Sequence, residues 1–161
     1  MNLRKRDKFI YLITMIVILG GDQLTKHLVS SSMQLGQSHE IIDNLFYFTY
    51  AQNTGVAWGM FAGHLSIFII IALVAAIVII AFFRKTGEND VLTRYGLVLT
   101  FAGLAGNLID RLFFGYVRDF IDVVIFGYNF PIFNIADMAV VIGVALIIIE
   151  IVIEEYVHGK D

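Results

Sequence analysis

Five aspartates, Asp22, Asp110, Asp119, Asp122 and Asp137, lie inside or beside long apolar runs. A carboxylate at membrane depth is expensive to keep, and by default it marks a functional site. The cations nearby are Lys26, Arg111 and Arg118. They cannot neutralise all five acids, so at least one or two carboxylates are left without a cation. Two such carboxylates close together share one proton, because both cannot ionise cheaply. One can then take a proton from water while the other donates to a carbonyl oxygen or a leaving amine. That division of labour is what aspartic-type peptide hydrolysis requires.

The natural candidates are Asp119 and Asp137, which stand near the two ends of one connection. Residues 115–131 should turn back on themselves and bring those ends together. Spacing does not choose between Asp119 and Asp122. The remaining polar groups fall at helical intervals. Asp22 and Lys26 are four apart and can pair. Asn107, Asp110 and Arg111 share a second face, with Asp110 expected on Arg111, and Asn134 and Asp137 share a third. Other chemistry has less to stand on. There is no cysteine, which removes thiolate sites and a cysteine nucleophile. The four histidines are dispersed, and neither a GxSxG elbow nor a Walker-type glycine loop occurs. A magnesium site of several aspartates and a proton-coupled small membrane transporter are the alternatives. Broken helices and inverted repeats, which would favour transport, are absent from the pattern.

The elements that must hold these residues are membrane spans. Of 161 residues, 58% are hydrophobic and 16% charged, against about 45–50% and 25% in soluble domains. A helix needs roughly 20 apolar residues to cross a bilayer. Four stretches qualify, at about 9–29, 64–83, 95–114 and 132–153. The expected fold is therefore an all-α membrane protein, one integral membrane domain over 1–161. A small extracytoplasmic β-sheet is expected between helices one and two, from the aromatic strand 45–51 with a turn at Asn53-Thr54-Gly55. Residues 123–133 read as two more short strands around Gly127-Tyr128-Asn129, on the same outer face. Arg4, Lys5, Arg6 and Lys8 precede the first span, Arg84, Lys85 and Arg94 lie between the second and third, and Lys160 follows the fourth. Basic loops stay inside, so both termini are expected in the cytoplasm and the acids near the outer face. Gly20-Gly21-Asp22-Gln23 is not an A-x-A-like exit, so the first span is expected to be retained. Ala102 and Gly106 have the spacing for close helix approach in lipid. A net charge of −3 gives no footprint for nucleic acid.

At these residues the chain resembles the bacterial lipoprotein signal peptidases (signal peptidase II) over nearly its whole length. Asp22-Gln23-Leu24-Thr25-Lys26 is similar to the family's first motif and Asn53-Thr54-Gly55-Val56-Ala57-Trp58 to its second. Gly106-Asn107-Leu108-Ile109-Asp110-Arg111 resembles the third, residues 115–122 (GYVRDFID) the fourth, and Phe133-Asn134-Ile135-Ala136-Asp137 the fifth. The resemblance implies a multi-pass enzyme of the bacterial cytoplasmic membrane. It implies an aspartic endopeptidase that removes the signal peptide from diacylglyceryl-modified prolipoproteins, cutting before the lipidated cysteine. Asp119 and Asp137 would be catalytic. Asp22, Lys26, Asn53, Gly55, Asn107, Asp110, Arg111 and Asn134 would bind substrate or support the pair. The outer sheet would cradle the substrate. Membrane lipid is an expected neighbour, no metal or cofactor is expected, and nothing demands an oligomer. Two positions depart from the family pattern: Val56 stands where alanine is frequent, and Arg118 where a small apolar residue often precedes the catalytic acid. Arg118 is expected to point to lipid headgroups, and Asp122 to cap nearby backbone N–H groups.

Overall fold

The computed structural model describes residues 5–55 and 64–158. Val56, Ala57 and Trp58 of the second motif, and Arg4 and Lys160 of the basic flanks, lie outside the described residues. Four long helices are α1 (Lys5–Ser32), α2 (Leu65–Lys85), α3 (Val91–Phe114) and α4 (Ile135–Ile153). Each belongs to a stretch long and apolar enough to cross a membrane. α2 carries isoleucines and valines all round, and Ile70, Ile71, Val74 and Ile77 are exposed. An all-round apolar helix with a bare surface is matched to lipid rather than water.

α3 is the central helix, packed against α1, α2 and α4. Its small residues allow this. A β-carbon on Gly96 would lie 2.5 Å from the Gly143 carbonyl oxygen of α4, and one on Gly106 would lie 2.6 Å from Asp22 Oδ2 of α1. The close approach expected of Ala102 and Gly106 thus extends along Gly96 and Gly103. With no hydrophobic drive between helices in lipid, such contacts and polar bonds supply the association.

The sheet has four antiparallel strands in the order β1-β2-β3-β4: β1 (Ser38–Ile42), β2 (Phe46–Asn53), β3 (Val117–Ile125) and β4 (Tyr128–Asn129). The expected small sheet is present, and it draws on both connections. β1 and β2 come from the connection between α1 and α2, but β3 and β4 come from the connection between α3 and α4. β3 also starts earlier than expected, so Asp119 and Asp122 are strand residues. Three residues apart, they fall on opposite faces of β3. Ala51 pairs with Asp119 and Tyr47 with Asp122, with a register shift in β2 between Phe48 and Ala51.

Three local devices set the geometry. Gly115, at φ 81°, ends α3 in the left-handed conformation, which a residue without a β-carbon adopts freely. Phe126 and Gly127, both at positive φ, make the tight turn into β4. Asn134 caps α4 by accepting from the Asp137 backbone N–H, while the Asp137 carboxylate accepts from the Asn134 N–H.

Candidate active site

Behind the site stands a closed charge network. Asp22, Lys26 and Asp110 have no exposed surface. Lys26 Nζ is 2.9 Å from Asp22 Oδ2 and 3.6 Å from Asp110 Oδ2, and it donates to Asn107 Oδ1 at 2.9 Å. Arg118 Nη2 lies 2.7 Å from Asp110 Oδ1. Two cations therefore meet two carboxylates. Gln23 Nε2 bridges Asp22, Asp110 and the Gly106 carbonyl at 3.1–3.2 Å. The second oxygen of Asp22 accepts from the Ala136 N–H at 2.9 Å, which ties α1 to the first turn of α4. Removing one partner from such a group strands a buried charge.

Three expectations change at this point. Asp110 does not pair with Arg111. Neighbours in a helix point about 100° apart, and Arg111 Nη2 instead donates to the Gly55 carbonyl at 3.1 Å, its guanidinium 5.1 Å from the Phe68 ring. Arg118 does not reach the headgroups. It is buried, because Asp110 accepts from its backbone N–H, its Nε and its Nη2 together. Among the described residues Asp122 caps no backbone N–H group either; its Oδ2 accepts from the Thr49 hydroxyl across the sheet at 2.6 Å.

With Asp22 and Asp110 neutralised and Asp122 turned to the opposite face of β3 from Asp119, Asp119 and Asp137 remain. Neither Asp119 nor Asp137 forms an ion pair among the described residues. Both are held by neutral amides. Asp119 Oδ1 accepts from Asn134 Nδ2 at 2.6 Å and Oδ2 from Asn53 Nδ2 at 3.0 Å. Asp137 Oδ1 accepts from Asn107 Nδ2 at 2.7 Å and Oδ2 from the Asn134 backbone N–H at 3.2 Å. Asn134 thus touches both acids, one through its side chain and one through its backbone. Asn107 links the pair to the network behind, since its Oδ1 also accepts from Asn134 Nδ2 at 3.1 Å.

Asp119 and Asp137 share the wall of one cavity of about 290 Å³ with Asn53, Gly55, Asn107 and Arg111, closed on one side by Phe130, Pro131 and Phe133. A space that large, lined by several polar groups, admits water. Burial pushes the Asp119 carboxyl up from its ordinary 3.8 to about 7, and the neighbouring Asp137 charge adds to it; the amide hydrogen bonds and Lys26 pull the other way. An acid that titrates near neutral pH beside a second carboxylate is the pairing peptide hydrolysis asks for.

Six of the expected residues meet in this cavity: Asn53, Gly55, Asn107, Arg111, Asp119 and Asp137. Asn134 supports them directly, and Asp22, Lys26 and Asp110 stand one layer behind. Gln23 escaped the sequence reading. Its place beside Asp22, off the helix face defined by Asp22 and Lys26, gave no periodic signal.

Four membrane-length helices, a sheet at one end and an uncompensated pair of aspartates beneath it define a membrane peptidase of the aspartic type. The chain belongs to the signal peptidase (SPase) II family, whose model matches residues 13–153. It is 45% identical over 140 residues to the lipoprotein signal peptidase of Staphylococcus haemolyticus (strain JCSC1435), spanning 87% of this chain and 89% of the relative. A Staphylococcus aureus lipoprotein signal peptidase is 43% identical over 87% of this chain and 85% of its own length. Two solved bacterial membrane enzymes share the fold. One, determined by the in meso method at 2.3 Å resolution, matches with a TM-score of 0.88 and 38% identity over 94% of this chain and 92% of its own. The other, at 1.9 Å, gives 0.81 and 40% over 88% and 92%.

Proposed function

We propose that this protein removes the signal peptide from diacylglyceryl-modified prolipoproteins, cutting before the lipidated cysteine, with Asp119 and Asp137 as the catalytic pair. The observation that carries the reading is that these two acids share one cavity and neither has a cation among the described residues, whereas Asp22 and Asp110 are paired and Asp122 accepts from Thr49 elsewhere on the sheet. The names of the relatives supply the substrate class, and the family gives no support to a transporter.

The chemistry follows from one shared proton. Asp119, its carboxyl pushed up to about 7, carries it in the reactive form. Asp137 takes a proton from a water molecule, the oxygen of that water attacks the scissile carbonyl carbon, and Asp119 gives its proton to the carbonyl oxygen. In the second step Asp137 returns a proton to the amide nitrogen, the C–N bond breaks, and Asp119 recovers its proton as the carbonyl reforms. Asn53, Asn107 and Asn134 fix the carboxylates, so little reorganisation is left for the reaction itself. Arg111, bound to the Gly55 carbonyl, steadies the end of β2 beside the passing peptide. The two carboxylates and water suffice for these steps, and every group comes from one chain, which fits a monomer.

The place of the site fits the substrate. The lipid on the cysteine stays in the bilayer, so the scissile bond lies near the membrane surface. Arg84, Lys85 and Arg94 mark the opposite end of the bundle as cytoplasmic. Both termini are then inside, and the sheet and acids face outward among membrane lipid.

Purified protein in lipid, given a diacylglyceryl-modified prolipoprotein, is expected to produce the cleavage shift on a gel with or without EDTA. The same substrate with an unmodified cysteine should stay uncut. Equal cleavage of both forms would refute the substrate class, and loss of cleavage on chelation would refute a metal-free mechanism.

A further inference from the structure

Arg118 lies next to Asp119 in β3, yet strand alternation sends the two side chains to opposite faces. Asp119 looks into the cavity, and Arg118 reaches back to the end of α3. Its backbone N–H and its Nε donate to Asp110 Oδ2 at 2.9 and 3.1 Å, and its Nη2 donates to Asp110 Oδ1 at 2.7 Å. The same nitrogen donates to Gln23 Oε1 of α1 at 3.1 Å. The guanidinium stacks over Phe114 at 4.4 Å. One residue thus joins α1, α3 and β3, and it does so one peptide away from a reacting carboxylate. Only Gly115 and Tyr116 separate α3 from β3, so the attachment to Asp110 decides how the strand leaves the helix.

We infer that Arg118 is a positioning residue: by clamping the start of β3 to Asp110 it fixes where the Asp119 carboxylate stands relative to Asp137. The inference rests on the reading of those two acids as the catalytic pair. The planar fork of arginine is what the site uses. It meets both oxygens of Asp110 and still has a donor for Gln23, which a lysine ammonium does not reproduce. The role predicts a particular kinetic loss. Substrate is held by the cavity and by lipid, and the Arg118 side chain, turned back to Asp110 and Gln23, does not line that cavity, so affinity should survive. The chemical step depends on carboxylate placement, where displacements on the order of 1 Å cost up to about a hundredfold.

The test compares wild type, Arg118→Met and Arg118→Lys on a diacylglyceryl-modified prolipoprotein, with rates normalised to folded protein. Arg118→Met should lower kcat about tenfold or more and leave KM within about twofold. Arg118→Lys should fall between it and wild type, again with KM unchanged. Wild-type kcat in the folded Arg118→Met protein would overturn the inference, as would a loss confined to KM. Should Arg118→Met fail to fold, Arg118→Lys decides, because it keeps the charge that Asp110 needs: a lowered kcat supports the clamp and an unchanged kcat overturns it. Asp119→Asn and Asp137→Asn are run alongside. If they retain activity, the catalytic pair itself is wrong; if they are inactive while the Arg118 variants match wild type, only the clamp is wrong.

Discussion

Among the five acids, position alone does not separate the two proposed as catalytic from the rest; the proposal rests on their partners. Asp22 and Asp110 are consumed by Lys26 and Arg118, and Asp122 by Thr49, which leaves Asp119 and Asp137 to amides. The raised Asp119 value has a thermodynamic consequence with a definite sign. Its folded value, about 7, lies above its ordinary 3.8. The folded state therefore binds the proton more tightly, and the stability linked to this group is full below about pH 4 and is lost as pH rises through 7. Asp119→Asn, neutral at every pH, should remove that dependence. Its melting temperature in detergent should exceed that of wild type increasingly between pH 4 and 7, and parallel curves would contradict the burial of this acid. The sequence showed which residue types were present and that cations were too few. It did not show which acid each cation served, because Arg118 and Asp110 meet through a chain reversal that no periodicity encodes.

The elements carry the site by close approach. Gly106 leaves room for the Asp22 carboxylate, which a β-carbon there would meet at 2.6 Å. Gly106→Val should displace Asp22, strip Lys26 of a partner and destabilise the fold by about 3–5 kcal/mol. Gly20, whose added β-carbon meets nothing within 4 Å, serves as the control: Gly20→Ala in mid-helix should be neutral or stabilise by about 0.5–1 kcal/mol. Thermal unfolding in detergent separates the two, and equal effects would mean the Gly106 contact is not what holds α1 to α3. The four spans were legible from length and apolarity, and their ends moved by a few residues. α4 starts at Ile135 rather than near 132 because Asn134 caps it. The origin of β3 was not legible. Its pairing with β2 spans about 70 residues of chain, and the apolar alternation of residues 117–125 is interrupted by the very polar residues that make the site.

For the whole molecule the claim is one of sidedness: a cytoplasmic end rich in arginine and lysine, and an outer end that holds the sheet and the acids. The chain has no cysteine, so single cysteines report cleanly. Phe126→Cys, at the fully exposed tip of the β3–β4 turn, should react with a membrane-impermeant thiol reagent in intact cells. Glu88→Cys, exposed in the connection between α2 and α3, should react only after the membrane is opened. The reverse pattern would invert the topology and put the lipidated cysteine on the wrong side of the site. The short basic loops predict this sidedness from charge alone, and the labelling is what tests it. The cavity beneath the sheet was not legible, because it needs β2, β3, α3 and α4 together.

The central claim is that Asp119 and Asp137 act as one unit, and the most direct measurement is the cleavage rate of Asp119→Asn, Asp137→Asn and the double variant on a diacylglyceryl-modified prolipoprotein, each verified as folded. Residues that act as a unit are non-additive. Each single variant should therefore lose activity by about a thousandfold or more, and the double should lose little beyond that. Substantial cleavage by either folded single variant, or losses that multiply in the double, would contradict the account.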